Sequence, residues 1–133
     1  MIFFVGAGPG DPDLITIKGR KLLEEADVVI YAGSLVSKRQ LDYLRDDAEV
    51  YNSAEMNLDE VMEVFLKAES EKKTTVRLHT GDPGIYGAIA EQMRELDKHD
   101  IYYEVVPGVS SFSAANAELK KEMTLPGVTQ TII

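Results

Sequence analysis

The sequence contains no cysteine in its 133 residues. This absence excludes disulfide bonds, thiolate metal sites and a cysteine nucleophile, and it favours a reducing compartment such as the cytoplasm. Long hydrophobic runs are missing as well, because no apolar stretch approaches the roughly 20 residues that span a bilayer. We therefore expect no membrane association. No basic segment precedes the first apolar run at residues 2–5, so we also expect no secretory signal.

An excess of positive charge is also lacking. The chain has 14 basic and 23 acidic residues, which gives a formal net charge of −9, and its basic residues form no group larger than three in the sequence. Because a nucleic-acid-binding domain normally carries a basic patch, we expect a small-molecule partner and no nucleic acid. The two histidines, His79 and His99, have no close set of acidic or histidine neighbours, so no metal site is predicted.

Short runs of β-forming residues alternate with helical patterns along the whole chain. The apolar runs predict strands over residues 2–5, 28–31, 49–51, 75–79 and 102–106, and a further extended segment over residues 128–133. Helices are predicted over residues 16–26, 57–66, 88–97 and 110–120, with a shorter helix around Leu41 and Leu44. The fold class is therefore α/β, with a five-stranded, mostly parallel sheet and helices on both faces.

Three helix starts have recognisable capping residues. Thr16 is predicted to cap the first helix, whose apolar side would comprise Ile17, Leu22, Leu23 and Ala26. Asn57 and Glu60 have the spacing of a capping box before an apolar face of i, i+3, i+4 periodicity. Ser110 is predicted to cap the last helix, which explains this serine without assigning it any chemistry.

Glycine-rich turns follow the first, fourth and fifth predicted strands, at residues 6–10, 81–87 and 107–108. The carboxyl ends of parallel strands meet at one edge of a sheet, and ligands of such sheets bind beyond that edge. We therefore expect the three turns to converge on one small-molecule site.

The first turn departs from the glycine-rich loops that bind nucleotides. A dinucleotide fingerprint needs a third glycine where this chain has Asp11, and it needs an acidic residue after the second strand, where none occurs. Pro9 and Pro12 remove two amide donors, and Asp11 and Asp13 place negative charge where a phosphate would bind. No Gly-Lys-Ser/Thr sequence follows, which excludes a P-loop. A tight turn with capping aspartates is the better interpretation.

Other polar residues near the predicted edge have structural as well as chemical explanations. Asp82 is an acceptor at a strand end, but Asp82-Pro83-Gly84 is also an ordinary turn sequence. His79 could act as a base or be a core histidine. Ser110 and Ser111 could be nucleophiles, although no histidine lies near them in sequence.

Taken together, three segments resemble the tetrapyrrole (corrin/porphyrin) methylase family: residues 5–16 (VGAGPGDPDLIT), 81–83 (GDP) and 106–111 (VPGVSS). Within that family, residues 31–36 (YAGSLV), 79–89 (HTGDPGIYGAI) and 125–131 (LPGVTQT) are most similar to members that methylate C11 of precorrin-4 or cobalt-precorrin-4 in cobalamin biosynthesis.

The resemblance implies an S-adenosylmethionine-dependent C-methyltransferase, usually a homodimer, that binds its methyl donor in a cleft between two domains and acts on a tetrapyrrole. Residues 1–127 would form the N-terminal domain and residues 128–133 would begin the interdomain segment. The C-terminal domain, which would complete the cleft, is absent from this sequence. We therefore expect the chain to be inactive alone.

The resemblance also implies roles for individual residues. The methyl-donor contacts would be Pro9, Gly81, Asp82, Ile85, Tyr86, Ser110 and Ser111. Gly8, Gly10 and Asp11 would line the substrate trough, and Asp11 is the one candidate for a catalytic role, in which it would orient the macrocycle. Lys18 and Arg39 are expected to meet the substrate carboxylates, because the domain as a whole is acidic.

Two alternatives remain open on the sequence. The chain could belong to a family member with another target, such as a different corrin carbon, a modified histidine of a translation factor (diphthine synthase) or an rRNA ribose. It could also be a non-catalytic domain that self-associates through surfaces a partner domain would otherwise cover.

Overall fold

Five parallel strands form one sheet in the computed structural model, which describes residues 1–33 and 35–132. The strand order is β3-β2-β4-β1-β5, and every neighbouring pair is parallel. Each predicted strand is present within one residue of its expected bounds. The strands are β1 (Ile2–Gly6), β2 (Val28–Tyr31), β3 (Glu49–Asn52), β4 (Thr75–His79) and β5 (Tyr103–Val106).

Four α-helices connect or follow these strands: α1 (Ile17–Glu25), α2 (Leu58–Ser70), α3 (Ile89–Lys98) and α4 (Ser111–Leu119). Short 3₁₀ turns lie at Pro12–Leu14, Lys38–Tyr43 and Ser53–Glu55. The second of these is the short helix predicted around Leu41 and Leu44.

The predicted caps of α1 and α2 are confirmed, and that of α4 is wrong. The Thr16 hydroxyl accepts a hydrogen bond from the Gly19 amide at 3.0 Å. Asn57 and Glu60 form the reciprocal capping box, with bonds of 2.7 and 3.0 Å. Ser110 stands at the N-cap position of α4, but its side chain makes no capping hydrogen bond. The sequence therefore identified the N-cap position of α4 correctly, but not whether the Ser110 hydroxyl accepts a hydrogen bond there.

The sheet separates two hydrophobic cores. The core on the α1 face includes Val5, Leu23, Val29 and Leu78, and the core on the α2 and α3 face includes Phe4, Ile30, Phe65 and Leu96. Both faces of the sheet are thus covered, as the continuous apolar strands predicted. Ile17 does not belong to the apolar side of α1, because it is 77% exposed at the first position of the helix.

The central strand β4 carries a buried polar row. Thr75, Arg77 and His79 alternate with the core residues Val76 and Leu78, and all five are buried. The His79 ring lies 6.1 Å from the Phe4 ring, between centroids. Burial, with a smaller contribution from the positive charge of Arg77, lowers the pKa of His79 to about 3. This burial confirms the interpretation of His79 as a core histidine.

His79 predicts a loss of stability in mild acid. The pKa of His79 is about 3 in the folded protein, below the ordinary 6.5. Between these two pH values the unfolded chain therefore binds a proton at His79 that the folded chain does not. The stability that His79 contributes above pH 6.5 is therefore lost as the pH falls, by about 2 kcal/mol at pH 5. Urea denaturation at pH 7 and pH 5 would measure it. His79→Gln should reduce this difference, whereas His99→Gln, at an exposed position, should leave it unchanged.

The end of the chain differs from the sequence prediction. Residues 128–132 do not form a strand; instead Leu125 and Thr129 form an isolated bridge around a tight turn, in which the amides of Val128 and Thr129 donate to the Leu125 carbonyl. Ile133, the last residue of the predicted segment, lies outside the described residues. No helix in the described part of the chain is both long and apolar enough to cross a bilayer.

Candidate functional site

The three glycine-rich turns converge at the carboxyl edge of the sheet. Gly8 and Gly81 form an antiparallel bridge, in which the Gly81 amide donates to the Gly8 carbonyl at 2.7 Å and the Gly8 amide donates to the Gly81 carbonyl at 3.2 Å. Both glycines have positive φ, of 78° and 63°, a conformation that other residues adopt at a cost. The first and second turns are thereby joined through their backbones.

The third turn packs against the same point. A methyl group built on Gly6 would lie 2.5 Å from the Gly81 carbonyl oxygen and 2.6 Å from the Gly108 α-carbon. Because these contacts involve backbone atoms, no side-chain rotation could relieve them. The absence of side chains at Gly6 and Gly108 is thus what lets the three strand ends meet.

Asp82 links the second and third turns. Its Oδ1 accepts a hydrogen bond from the Gly84 amide at 2.8 Å, and its Oδ2 accepts one from the Gly108 amide at 2.9 Å. Both carboxylate oxygens therefore bind the protein's own backbone. In this structure Asp82 shapes the site by positioning two turns, which is a more specific role than the free acceptor that its sequence context suggested.

An open groove runs between the first turn and α4. It has a volume of about 570 Å³, within the range of small-molecule sites, and it is lined by Pro9, Asp11, Leu14, Ser111, Ala114, Ala115, Ala117 and Glu118. Asp11 is exposed, and its Oδ1 caps the following 3₁₀ turn by accepting from the Asp13 amide at 2.9 Å. The structure thus brings Ser111 together with Pro9 and Asp11, although Ser111 lies 100 positions after Asp11 in the sequence.

Other predicted site residues lie outside the lining of this groove. Gly81 faces the third turn, and a methyl group on it would lie 3.5 Å from the Ser110 α-carbon. Ser110 itself is buried. Ile85 and Tyr86 have exposed side chains, that of Tyr86 completely, and neither lines the groove. Gly10 has a φ of 125° and open space around its α-carbon.

The predicted partners of the substrate carboxylates are not gathered at this groove. The Lys18 ammonium pairs with Glu104 of β5 at 2.9 Å, and neither Lys18 nor Arg39 lines the groove.

In the segment at residues 31–36, Ser34 lies outside the described residues. No group of three or more metal-ligand side chains was found in residues 1–33 and 35–132.

Gln40 is a buried residue that the sequence analysis did not identify. It lies in the 3₁₀ turn Lys38–Tyr43, is 1% exposed, and donates from Nε2 to the Ala7 carbonyl at 2.8 Å. Its Oε1 has no hydrogen-bond partner among the described residues. A glutamine between Arg39 and Leu41 gives no sign of burial in the sequence, yet here its side chain supports the first glycine-rich turn through the Ala7 carbonyl.

We expect Gln40→Leu to destabilise the protein by about 1 kcal/mol. The change leaves the Ala7 carbonyl unpaired, but it also removes the unpartnered Oε1, so the net loss is smaller than that for an unpaired buried group alone. Urea denaturation measures the loss, and hydrogen exchange at the Gly8 amide would report on the loosening of the turn. Arg39→Leu, at the exposed neighbouring position, is the matched control and should leave Gly8 exchange unchanged.

Known proteins are similar to this chain in sequence and in fold. The family model of the Tetrapyrrole (Corrin/Porphyrin) Methylases matches residues 1–133. The cobalt-precorrin-4 C(11)-methyltransferase of Methanocaldococcus jannaschii is 61% identical over 132 residues, which make up 99% of this chain and 51% of that protein. The chain therefore spans about half the length of the relatives it matches.

Two solved structures extend the comparison. The X-ray structure of a cobalamin biosynthetic enzyme, cobalt precorrin-4 methyltransferase, has a TM-score of 0.96 and 51% identity, covering 99% of this chain and 55% of that one. Uroporphyrin-III C-methyl transferase from Thermus thermophilus, complexed with S-adenosylhomocysteine, has a TM-score of 0.80 and 34% identity, covering 98% and 52%. This chain belongs to the tetrapyrrole (corrin/porphyrin) methylase family.

Proposed function

We propose that this chain is the N-terminal half of an S-adenosylmethionine-dependent methyltransferase that methylates C11 of precorrin-4 or cobalt-precorrin-4. The observation that carries this proposal is the 61% identity, over 99% of the chain, to a cobalt-precorrin-4 C(11)-methyltransferase. The identity to a uroporphyrinogen-III C-methyltransferase of the same organism is lower, 44% over 83% of the chain, which favours precorrin-4 or cobalt-precorrin-4 over uroporphyrinogen-III as the substrate.

The residues of the site are compatible with this methyl donor. Asp11 and Glu118 place exposed carboxylates on the open groove beside α4, which would favour the donor's sulfonium and ammonium groups. Of the proposed donor contacts, Pro9 and Ser111 line this groove, and the others lie at the second turn and at the start of α4. Pro9, Gly81, Asp82, Ile85, Tyr86, Ser110 and Ser111 are the proposed contacts with the donor, and the backbone of Gly8 and Gly10 with the Asp11 side chain would face the flat macrocycle.

The chemistry places few demands on the protein. The methyl donor supplies an electrophilic methyl group and a neutral sulfide as leaving group, and the substrate supplies the carbon nucleophile. Positioning two reactants for an in-line displacement can lower a barrier by about 7–11 kcal/mol. In this chain the joined turns would position the reactants. The Gly8–Gly81 bridge forms the floor of the site, and Asp82 holds the second and third turns at a fixed separation.

The second half of the relatives' length would form the other wall of the donor cleft. The groove beside α4 is open, and α4 has no buried residue, so this side of the described structure leaves room for that wall. Additional basic side chains from that half would offset the negative charge of this domain toward a polycarboxylate substrate. A homodimer and a cytoplasmic location stay predictions.

Calorimetry with S-adenosylhomocysteine tests the proposal. We expect tight binding by a full-length protein that carries both halves and weak or no binding by the 133-residue chain. A full-length protein that binds no S-adenosylhomocysteine would contradict the proposal and favour a non-catalytic, self-associating domain. Methyl-transfer assays of the full-length protein on precorrin-4, cobalt-precorrin-4 and uroporphyrinogen-III would then identify the substrate, and preference for the last would place the protein elsewhere in the family.

A further inference from the structure

Arg77 is a buried cation without a buried counter-ion. It stands in the middle of the central strand and is 7% exposed. Its Nε donates to the Gln92 side-chain oxygen and its Nη1 to the Ile30 carbonyl, both at 3.3 Å. Within residues 1–33 and 35–132 it forms no ion pair. An unpaired buried charge is costly, so its retention calls for a partner.

A small cleft gives this guanidinium access to a ligand. The cleft has a volume of about 170 Å³ and lies between the β3–α2 connection and the start of α3. Besides Arg77 it is lined by Ser53, Met56, Asn57, Leu58, Val61, Ala88, Glu91 and Gln92. None of these residues lines the groove beside α4, so the two sites are separate. The volume is below that of whole-ligand pockets, but it admits a single anionic group.

The amino terminus of α3 faces the same cleft. Ala88 is its N-cap residue and has no side-chain acceptor, so no side chain caps the ten-residue helix Ile89–Lys98. The first amides of a helix are unpaired donors with a partial positive charge, and they favour an anion. The start of α2, which also borders the cleft, differs because its capping box already satisfies the amides of Asn57 and Glu60. Arg77 and the start of α3 therefore offer two sources of positive potential to one small space.

We propose that this cleft binds a small oxyanion, a carboxylate or a phosphate, between the Arg77 guanidinium and the first turn of α3. The planar guanidinium suits the two oxygens of such a group. Burial lowers the pKa of Arg77 to about 10, which still leaves it charged at neutral pH. Glu91 at the cleft opposes the anion and should keep the affinity moderate. The proposal does not depend on methyl transfer, because its residues lie outside the groove beside α4.

The probes are inorganic phosphate and acetate, each titrated into the full-length protein and into the 133-residue chain. The readout is the NMR signals of the Arg77 side chain and of the Ile89 and Ala90 amides. We expect saturable shifts at these groups. Glu91→Gln removes an exposed opposing charge and should tighten binding about two- to fivefold. Glu25→Gln removes the same charge from α1, on the other face of the sheet, and should change nothing. Arg77→Lys, with its fold checked by circular dichroism, should weaken binding at least about tenfold.

A saturable titration with this pattern of variants supports the site. Signals that do not saturate, or a Glu91→Gln protein that binds no more tightly than the Glu25→Gln protein, would overturn it, even if Arg77→Lys fails to fold. Addition of a carboxylated tetrapyrrole distinguishes the source of the anion. Displacement of phosphate identifies a substrate carboxylate, and retention of phosphate identifies a free oxyanion. Loss of methyl transfer alone would concern the proposed function and not this site.

Discussion

Gly6→Ala is expected to destabilise the protein by about 3 kcal/mol or to prevent its folding. Gly6 ends β1, which is hydrogen-bonded to β4 on one side and β5 on the other, so it cannot shift without disturbing both. The new methyl group would lie 2.5 Å from the Gly81 carbonyl oxygen and 2.6 Å from the Gly108 α-carbon. Since all of these are backbone atoms, the clash forces the three turns apart.

Urea denaturation of the variant measures this effect. Gly127→Ala is the matched control, because no atom lies within 4 Å of the added methyl group and the residue has a φ of 78°. It should cost only the strain of a left-handed alanine, about 1 kcal/mol. If Gly6→Ala lost no more stability than Gly127→Ala, the close backbone packing of the three turns would not be a determinant of the fold.

Asp82→Asn is expected to weaken S-adenosylhomocysteine binding by the full-length protein at least about tenfold and to cost about 1–3 kcal/mol of stability. Asp82 accepts from the Gly84 amide with one oxygen and from the Gly108 amide with the other. Asparagine has a single acceptor oxygen, so its NH₂ group must face one of these two N–H donors. The second and third turns, which contribute most of the proposed donor contacts, would then no longer be held together.

Calorimetry and urea denaturation separate the two parts of this prediction. Asp13→Asn removes an exposed carboxylate from the neighbouring turn, where its side chain accepts no hydrogen bond from the described residues, and it should change neither quantity. Loss of binding with full stability would mean that Asp82 contacts the donor directly. Loss of stability with unchanged binding would contradict its role in shaping the donor site.

The elements that sequence reasoning placed correctly are those whose determinants are local. β2 is a short, uninterrupted run of β-forming residues between helical patterns, and α2 has both a capping box and a periodic apolar face. That the turns at residues 6–10, 81–87 and 107–108 lie at one edge also followed, because it depends only on the strands being parallel. That they meet at one point depends in addition on β4, β1 and β5 being neighbours in the sheet.

The errors occur where a side chain's environment comes from distant parts of the chain. Ile17 was assigned to the apolar side of α1 from its helical position, but at the first position of the helix its side chain is 77% exposed. Ser110 has the residue type of a cap without the hydrogen bond, because it is buried beside the second turn. The extended segment expected at residues 128–133 is not a strand over residues 128–132, because Leu125 and Thr129 form a bridge around a tight turn there instead.

Residue type and spacing were enough to establish the α/β architecture, the strand positions, the edge that carries the site and the resemblance to the tetrapyrrole methylases. The folded structure was needed to show that Asp82 binds two backbone amides, that Gln40 supports the first turn and that Arg77 is buried without an acid. Apart from the local Asp82–Gly84 hydrogen bond, these contacts join residues 15 to 47 positions apart, and no local pattern records which groups the folded sheet brings together.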